Sequence, residues 1–289
     1  MGRNARGWLC SLCLLGSLSA QAGSPVWAIR GEHNTVYLAG SIHLLKASDA
    51  ALPAAFERAY SHSQTLVMEL DLGKLTPRDA AGWILEHGSV PQGSSLRASI
   101  GEQRYQRVLA ASTQLGLPRE ELDQFAPWVL GLQLLDLQYG QLGFDPQQGV
   151  EEQLERRAKS DRKPTEGLET LAEQLGVLQA LSSEDQARFL DLAVSEPAEL
   201  ESETESVVLA WRAGDADKLA ALLGEEFKSF PVLYAALVTQ RNLRWLPRIE
   251  KLLKDKQDYL VVVGALHLVG KGGLLELLRK DGYTPTSMN

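Results

Sequence analysis

The sequence has almost no cysteine. Its two cysteines, Cys10 and Cys13, lie near the start of a 289-residue chain, and none follows. Beyond them the chain can form no disulfide and offers no thiolate as a nucleophile or a zinc ligand. Any metal must therefore be held by histidine, aspartate or glutamate. The exclusion of disulfides and of thiolate chemistry applies to the whole chain after Cys13.

Positive charge is also scarce. The chain has 29 Lys plus Arg against 37 Asp plus Glu, a formal net charge of −8 and a pI near 5.3. This balance argues against a nucleic-acid partner, because gripping phosphate backbones needs basic surface. A composition of 44% hydrophobic and 23% charged residues is that of an ordinary globular chain with enough material for a core. It excludes a disordered chain, a collagen and a polytopic membrane protein.

The amino-terminal segment has the layout of a secretory signal peptide. Arg3 and Arg6 precede a mostly apolar stretch over residues 7–18, and residues 19–22 (SAQA) are small enough for signal peptidase. The stretch is too short to span a bilayer. Leucine precedes each cysteine, where a lipidation signal needs a small residue. We expect cleavage after Ala22, a periplasmic or secreted protein without a stable membrane anchor, and a net charge that changes from −8 to −10 as two arginines leave.

The rest of the chain, residues 23–289, is predicted to be a single α/β domain with a mixed central sheet. Apolar residues at three and four spacing predict a large helical insertion over roughly residues 76–255. A break is expected at residues 163–167, and a closing helix over residues 271–280. Runs of residues that favour β-structure predict four strands near the two ends of the chain, at residues 26–30, 35–39, 64–70 and 259–263. The first two strands are expected to form a hairpin.

One sequence unit occurs twice: a strand, then the motif Gly-x-x-His, then aliphatic residues. Glycine lets a chain leave a strand in a backbone conformation that other residues resist. Each histidine then follows the carboxyl end of a strand, the edge at which open α/β sheets bind ligands. A single motif of this kind is weak, but two of the five histidines share it, and we expect both imidazoles to face one cleft. The segment VYLAGSIHLL (residues 36–45) aligns with LVVVGALHLV (residues 260–269). In this alignment Gly40 matches Gly264 and His43 matches His267.

A carboxylate is needed beside these histidines if they bind a metal. Two neutral imidazoles leave the charge and the coordination of a divalent cation incomplete. Glu69 and Asp71 end an apolar strand, and alternation places both on one side of it. The alternative is that Asp71 caps a turn and Glu69 is partly exposed. Both interpretations stay open on the sequence alone.

Six short blocks follow one another along nearly the whole chain after residue 22. Together they resemble the TraB/GumN family, which is related to the Tiki group of metalloproteases and, more distantly, to erythromycin-esterase-like and ChaN-like proteins. The blocks are Gly40-Ser41-Ile42-His43, Met68-Glu69-Leu70-Asp71, Gly143-Phe144-Asp145, Glu166-Gly167-Leu168-Glu169-Thr170 with Gln174, Arg241-Asn242 with Trp245, and Val263-Gly264-Ala265-Leu266-His267-Leu268 running into Gly282-Tyr283.

The resemblance implies a divalent-metal-dependent hydrolase of the peptidase kind. His43 and His267 would hold the metal, which is manganese or cobalt in the Tiki relatives, with zinc as a further choice. Glu69 would complete the ligand set or act as a general base. Arg241 would stabilise the oxyanion formed from a substrate carbonyl, with Asn242 as a second donor. The expected substrate is a peptide or another small molecule.

Three further acidic residues are weaker candidates. Glu169 is expected to orient Arg241 or a histidine, and Asp71 and Asp145 to support the site, although Glu169 and Asp145 could each simply cap a helix. Two other functions remain open. The first is an exported binding or inhibitor protein without enzymatic activity, and the second is a haem- or metal-binding protein of the ChaN-like type.

Overall fold

A six-stranded mixed sheet forms the centre of the protein, as the computed structural model shows for residues 23–194 and 196–288. The strand order is β4-β3-β5-β2-β1-β6. The predicted signal peptide, residues 1–22, lies outside the described residues. Strands from both ends of the chain meet in the sheet, which confirms the expected α/β class. The strands are β1 (Val26–Arg30), β2 (Thr35–Ser41), β3 (Thr65–Met68), β4 (Thr165–Gly167), β5 (Tyr259–Gly264) and β6 (Thr286–Ser287).

Helices fill most of the chain between β3 and β5. Short 3₁₀ turns occur at Ala47–Asp49 and Pro146–Gln148, and a π-helical segment occupies Ala235–Thr239. The α-helices are α1 (Ala54–His62), α2 (Pro77–His87), α3 (Leu96–Ile100), α4 (Glu102–Gln114), α5 (Arg119–Leu122), α6 (Pro127–Gln141), α7 (Val150–Asp161), α8 (Leu171–Gln179), α9 (Ser183–Leu192), α10 (Pro197–Arg212), α11 (Ala216–Glu226), α12 (Pro231–Tyr234), α13 (Gln240–Leu252), α14 (Ala265–Leu268) and α15 (Leu274–Lys280).

Four neighbouring strands run parallel. β5 lies between β2 and β3, and β4 pairs with the far side of β3. Their carboxyl ends, at Ser41, Met68, Gly167 and Gly264, therefore lie along one edge of the sheet. β1 and β2 form the predicted antiparallel hairpin, and β6 pairs with β1. This topology brings the two Gly-x-x-His segments next to each other, as the repeat predicted.

The central strand β5 is buried along its whole length. Its run of apolar, β-branched residues is typical of a parallel strand covered on both faces, and the prediction of such a strand is confirmed. Helix α10 is tied to the neighbouring strand, because the indole Nε1–H of Trp211 donates to the carbonyl of Gly40 at 2.7 Å. The sheet is thus held rigidly under the helical part of the chain.

Three sequence-based expectations were wrong in detail. Residues 163–167 were expected to be a break between helices, but Thr165–Gly167 form an edge strand, because its backbone pairs with β3. The closing helix begins at Leu274 rather than at residue 271. The strand β6 was not predicted, since two residues carry no alternation signal.

Neither of the two motif glycines adopts the left-handed backbone conformation that favours glycine. Gly264 has φ −48°, and Gly40 is not among the positive-φ glycines. A Cβ on Gly40 would lie 3.2 Å from the Cα of Ala265, so glycine there allows α14 to pack closely on β2. The register also differs from the sequence alignment, because Ser41 pairs with Gly264. In the sheet, the two copies of the repeat are therefore offset by one residue.

The helical part has hydrophobic cores of its own. One buried cluster includes Leu96, Tyr105 and Leu122, and another includes Trp128 and Phe189. In residues 23–194 and 196–288, no helix has the length and apolarity to cross a membrane. The helices therefore form a packed layer beside the sheet rather than extensions of it.

We expect Leu260→Ala to lower the free energy of unfolding by about 2–5 kcal/mol, because Leu260 is completely buried in β5. The control is Leu85→Ala, since the side chain of Leu85 is 76% exposed and its loss should change stability by less than about 0.5 kcal/mol. Denaturant unfolding followed by tryptophan fluorescence measures both values. Equal losses in the two variants would contradict the buried position of β5.

Candidate functional site

A pocket of about 690 Å³ opens at the carboxyl edge of the parallel strands. Its volume is in the range of small-molecule binding sites. The polar side chains of its floor follow the ends of β2, β3 and β5 or reach in from neighbouring helices. They are Ser41, His43, Glu69, Glu151, Gln174, Arg241 and His267.

The pocket walls are apolar and come from the helical insertion. Leu132 of α6, Leu175 of α8, Val207 of α10 and Leu237 of the π-helical segment all line it. Apolar walls over a polar floor are usual in sites that bind small ligands in a fixed orientation. The insertion therefore provides the apolar cover together with Glu151, Gln174 and Arg241, and the ends of the strands and the segments after them provide the other polar groups.

Gly264 lies where the predicted site residues meet. A Cβ added to it would lie 3.2 Å from Nε2 of His43, 3.4 Å from Oε1 of Glu69 and 3.6 Å from Cδ2 of His267. The structure thus brings both motif histidines and the strand-end glutamate together around one point. The absence of a side chain at Gly264 leaves space between them.

His43 lies in an extended segment after β2, and its side chain is 62% exposed. Its Nδ1 is 2.8 Å from Oε1 of Glu151. The Glu151 carboxylate raises the pKa of His43 to about 9, against the opposing effect of burial. The hydroxyl of Ser41 donates to the same carboxylate oxygen. Since Nδ1 is engaged, Nε2 is the nitrogen that His43 presents beside Gly264.

His267 has the same motif but a different environment. It is buried in α14, and its Nδ1 is 2.7 Å from Oδ1 of Asn242. The amide nitrogen of Asn242 donates to the carbonyls of His267 and Gly272, at 3.0 and 2.9 Å. The amide oxygen can only accept, so we assign the imidazole proton to Nδ1 and a lone pair to Nε2. Burial lowers the pKa of His267 to about 3, which keeps the ring neutral.

Glu69 is buried, with hydrogen bonds to both carboxylate oxygens. Oε1 accepts from the backbone N–H of Gly264 at 2.8 Å, and Oε2 accepts from Gln174 at 3.1 Å and from Nη2 of Arg241 at 2.5 Å. Burial opposes ionisation, but the positive charges of Arg241 and His43, together with the Gly264 N–H, hold the pKa of Glu69 well below its usual value. The carboxylate is therefore charged at neutral pH.

Arg241 has a partner for each of its five N–H hydrogens. Nε donates to Glu169 at 3.0 Å, and Nη2 donates to Glu69 and Glu169, each at 2.5 Å. Nη1 donates to the carbonyl of Leu237 and to Nε2 of His267, both at 3.0 Å. As the side chain lies, it has no hydrogen left for a substrate oxyanion. Arg241 instead holds the groups that surround it.

The remaining predicted residues fall into two groups. Glu169 lies beside Arg241 as expected, and burial raises its pKa. Asp71 does not line the pocket, because β3 ends at Met68 and the strand alternation does not reach it. Its carboxylate accepts from Thr165 at 3.0 Å. Asp145 also lies outside the pocket lining, where it caps a 3₁₀ turn by accepting from the Gln147 N–H at 2.8 Å.

Sequence reasoning missed Ser41 and Glu151 as site residues. Ser41 lies within the first Gly-x-x-His motif, so its position in the sequence could have identified it as a site residue. Glu151 is far from both motifs in sequence and is one of two glutamates in the first turn of α7, where acidic residues are common in any helix. Only the packing of α7 against the segment after β2 reveals its contact with His43.

The donor atoms around Gly264 are suited to a divalent metal. Nε2 of His267 is 3.8 Å from Oε1 of Glu69, and His43 presents its Nε2 to the same space. Both histidines have Nδ1 tied to an oxygen acceptor, as metal-binding histidines usually do. The opposing contact is the Arg241 N–H on Nε2 of His267, which a metal would replace. As the side chains lie, no three His, Cys, Asp or Glu side chains of the described part of the chain are arranged so that they could hold a metal ion.

Fold and site together define an α/β protein with a ligand pocket at the carboxyl edge of its parallel strands, built on two Gly-x-x-His segments. The sequence model of the TraB/PrgY/gumN family matches residues 25–287, and the chain belongs to this family. The resemblance seen in the sequence is thereby confirmed.

Two relatives carry the name uncharacterized protein YbaP, one from Escherichia coli (strain K12) and one from Shigella flexneri. Each is 26% identical to this chain over 269 residues, which cover 88% of this chain and 97% of the relative. No solved structure matches.

Replacing Arg241 by methionine should cost about 3–5 kcal/mol of stability, because it leaves two buried carboxylates without their cation. Arg241→Lys should restore little, since an ammonium cannot reproduce five planar N–H donors. Arg244→Met on the same helix is the control: its side chain is 43% exposed and lies 3.8 Å from Glu169, so the loss should be below about 1 kcal/mol. Thermal and denaturant unfolding measure the difference, and similar losses at both positions would refute the central role of Arg241.

The two motif histidines should titrate far apart. In metal-free protein, NMR should show His43 losing its proton near pH 9 and His267 staying neutral down to about pH 3. Because the pKa of His43 is raised by folding, its pairing stabilises the fold below pH 6.5, and this contribution is lost as the pH rises through about 9. His43→Ala assigns the signals. Two histidines titrating together near 6.5 would show that these environments are not formed.

Proposed function

We propose that this chain is an exported, divalent-metal-dependent hydrolase that acts on a peptide or another small substrate. The observation that carries the proposal is the convergence of His43, Glu69 and His267 around Gly264 on the floor of an apolar-walled pocket. Two imidazoles and a carboxylate are a common ligand set for a hydrolytic metal. Export is proposed from the signal-peptide layout of residues 1–22.

His43 and His267 would hold the metal through Nε2, and Oε1 of Glu69 would either complete the ligand set or accept a proton from water. When bound, a divalent metal at this place acts as a Lewis acid on a carbonyl group and makes water a better nucleophile at neutral pH. His43 must give up its Nε2 proton for this role, so metal binding releases a proton and weakens as the pH falls.

The other residues of the site orient these groups. Arg241 holds Oε2 of Glu69, while Gln174 adds a second hydrogen bond, so Oε1 stays directed at the Gly264 N–H and the space beside it. Asn242 fixes the ring of His267. We assign Asn242 to positioning rather than to oxyanion stabilisation, because both hydrogens of its amide donate to backbone carbonyls. Arg241 also has a positioning role, and a metal on Nε2 of His267 would free one of its Nη1 hydrogens for a substrate oxygen.

The apolar walls determine what reaches the floor. Leucine, valine and phenylalanine side chains from α6, α8, α10, the end of α11 and the π-helical segment would bind an apolar part of the substrate. Once such a substrate fills the pocket and displaces water, the charges on the floor act more strongly on its carbonyl group. This favours an amphipathic substrate, such as a peptide with hydrophobic side chains.

A binding protein without turnover is the second candidate. It is favoured by one specific observation, namely that every N–H of Arg241 and of the Asn242 amide has a partner as the side chains lie, so that only metal binding at His267 would free one. A binder would use the same pocket but would need no proton transfer by Glu69. The two functions therefore differ in the effect of replacing Glu69.

The metal is tested by elemental analysis of protein expressed in the periplasm under metal-replete conditions. We expect about one divalent ion per chain in the wild type and its loss in His43→Ala and His267→Ala. His62→Ala is the matched control, since His62 is exposed on α1 and does not line the pocket. A wild type without stoichiometric metal, behaving like both variants, would exclude the metal-dependent hydrolase. A Soret band in the purified protein would indicate haem instead.

Turnover is tested with a mixture of fluorogenic peptides and with p-nitrophenyl esters. Glu69→Gln should reduce hydrolysis at least about 100-fold, because proton transfer and charge at Oε1 are lost, while the folded protein remains. The same variant should still bind a competing substrate in calorimetry. Wild-type protein that binds these compounds but does not cleave them would identify a binding protein.

A further inference from the structure

We propose that Glu151 is a positioning residue that fixes His43 with its proton on Nδ1 and its Nε2 lone pair toward the metal. This inference rests on the proposed metal site. Nothing in the motif pattern marks Glu151, which lies 108 residues after His43 along the chain, on α7. The argument depends on how α7 is attached, how the carboxylate is held and what it does to the imidazole.

The start of α7 is attached directly to the segment that carries His43. The N–H of Val150 donates to the carbonyl of Ile42 at 3.1 Å. A Cβ on Gly149 would lie 2.1 Å from the carbonyl oxygen of His43, so only glycine allows this approach. The backbones of Leu45 and Asp145 also pair, at 3.0 and 3.4 Å. Glu151 is therefore placed beside His43 by backbone contacts, not by a flexible side chain.

The carboxylate of Glu151 is itself oriented. Only 9% of the residue is exposed, and its Oε1 receives both the Ser41 hydroxyl and Nδ1 of His43. Ser41 is fixed because it ends β2, opposite Gly264 of β5. The neighbouring residue Glu152 is half-buried and also lines the pocket, but the contact with His43 is made by Glu151.

A carboxylate on Nδ1 determines which nitrogen can bind a metal. When the ring is neutral, the Nδ1–H stays with the carboxylate and the lone pair is on Nε2. Free imidazole side chains in water favour the opposite tautomer, and His43 is the more exposed of the two motif histidines. Asn242 performs the same task for the buried His267 with a neutral amide. His43 needs the stronger, charged acceptor because solvent competes for its ring.

The first experiment needs no metal. Nitrogen-15 NMR of metal-free protein at pH 10 should show the Nδ1–H tautomer of His43 in the wild type and mainly the Nε2–H tautomer in Glu151→Ala. Glu151→Gln should restore much of the Nδ1–H form, since its amide oxygen still accepts a hydrogen bond. Glu152→Ala is the matched control and should leave the tautomer unchanged. An unchanged tautomer in Glu151→Ala would overturn the proposal.

The second experiment is calorimetric titration with Mn²⁺ or Zn²⁺ at pH 7.5, with each affinity corrected for the proton that His43 must release, because Glu151 also raises the pKa of His43 to about 9. Glu151→Ala should weaken metal binding about 10–100-fold, as is usual when a hydrogen-bond partner of a metal-binding histidine is lost. Glu152→Ala should keep the wild-type affinity. Equal affinity of Glu151→Ala and wild type would overturn the positioning role.

The two experiments distinguish this inference from the proposed function. If the wild type binds neither metal, the metal-dependent hydrolase fails, and the tautomer measurement still decides whether Glu151 orients His43. If Glu151→Ala proves unstable, the same NMR spectra of Glu151→Gln and Gly149→Ala decide, because Gly149→Ala pushes α7 away from His43 and should mix the tautomers.

Discussion

The buried guanidinium of Arg241 between two buried carboxylates is the interaction on which the site depends. Glu69 follows β3, Glu169 follows β4, and Arg241 comes from α13, so one cation connects two strand ends to a helix. Two carboxylates this close together could not both stay charged in an apolar interior without it. The same guanidinium also donates to Nε2 of His267 at 3.0 Å. The indole ring of Trp245 lies 4.6 Å from the central carbon of the guanidinium, and its N–H donates to Glu169 at 3.2 Å.

The backbone before Arg241 is unusual in a way that suits this task. The π-helical segment Ala235–Thr239 ends directly before α13, and such segments often occur at functional sites. Its widened turn places Leu237 in the pocket wall, while the carbonyl of the same residue accepts from Arg241 at 3.0 Å. One segment thus contributes to the apolar cover and to the polar floor.

The sequence predicted the α/β class and the sheet edge at which the candidate residues lie, but fewer of the contacts around them. The repeated Gly-x-x-His pattern was sufficient to bring His43 and His267 to one sheet edge, since parallel strands place their carboxyl ends together. Glu69 was predicted at the same edge and lines the pocket, whereas Asp71 does not. Both follow the end of β3 at Met68, so alternation along the strand could not distinguish them. The strand β4 could not be recognised, since three residues paired at an edge have no periodicity. Glu151 and the five-fold pairing of Arg241 depend on contacts between distant segments, which no local pattern contains.

The same motif produces two chemically different histidines, and this difference is the basis for a division of tasks. β2 leads into an extended segment, whereas β5 leads into α14, so His43 is turned outward and His267 is buried. Burial keeps His267 neutral, while a carboxylate favours the cationic form of His43. A site with one neutral and one readily protonated imidazole, next to a charged carboxylate, can take up a cation in exchange for the proton of His43. The one-residue offset between β2 and β5 accompanies this difference, since Ser41 rather than Gly40 pairs with Gly264.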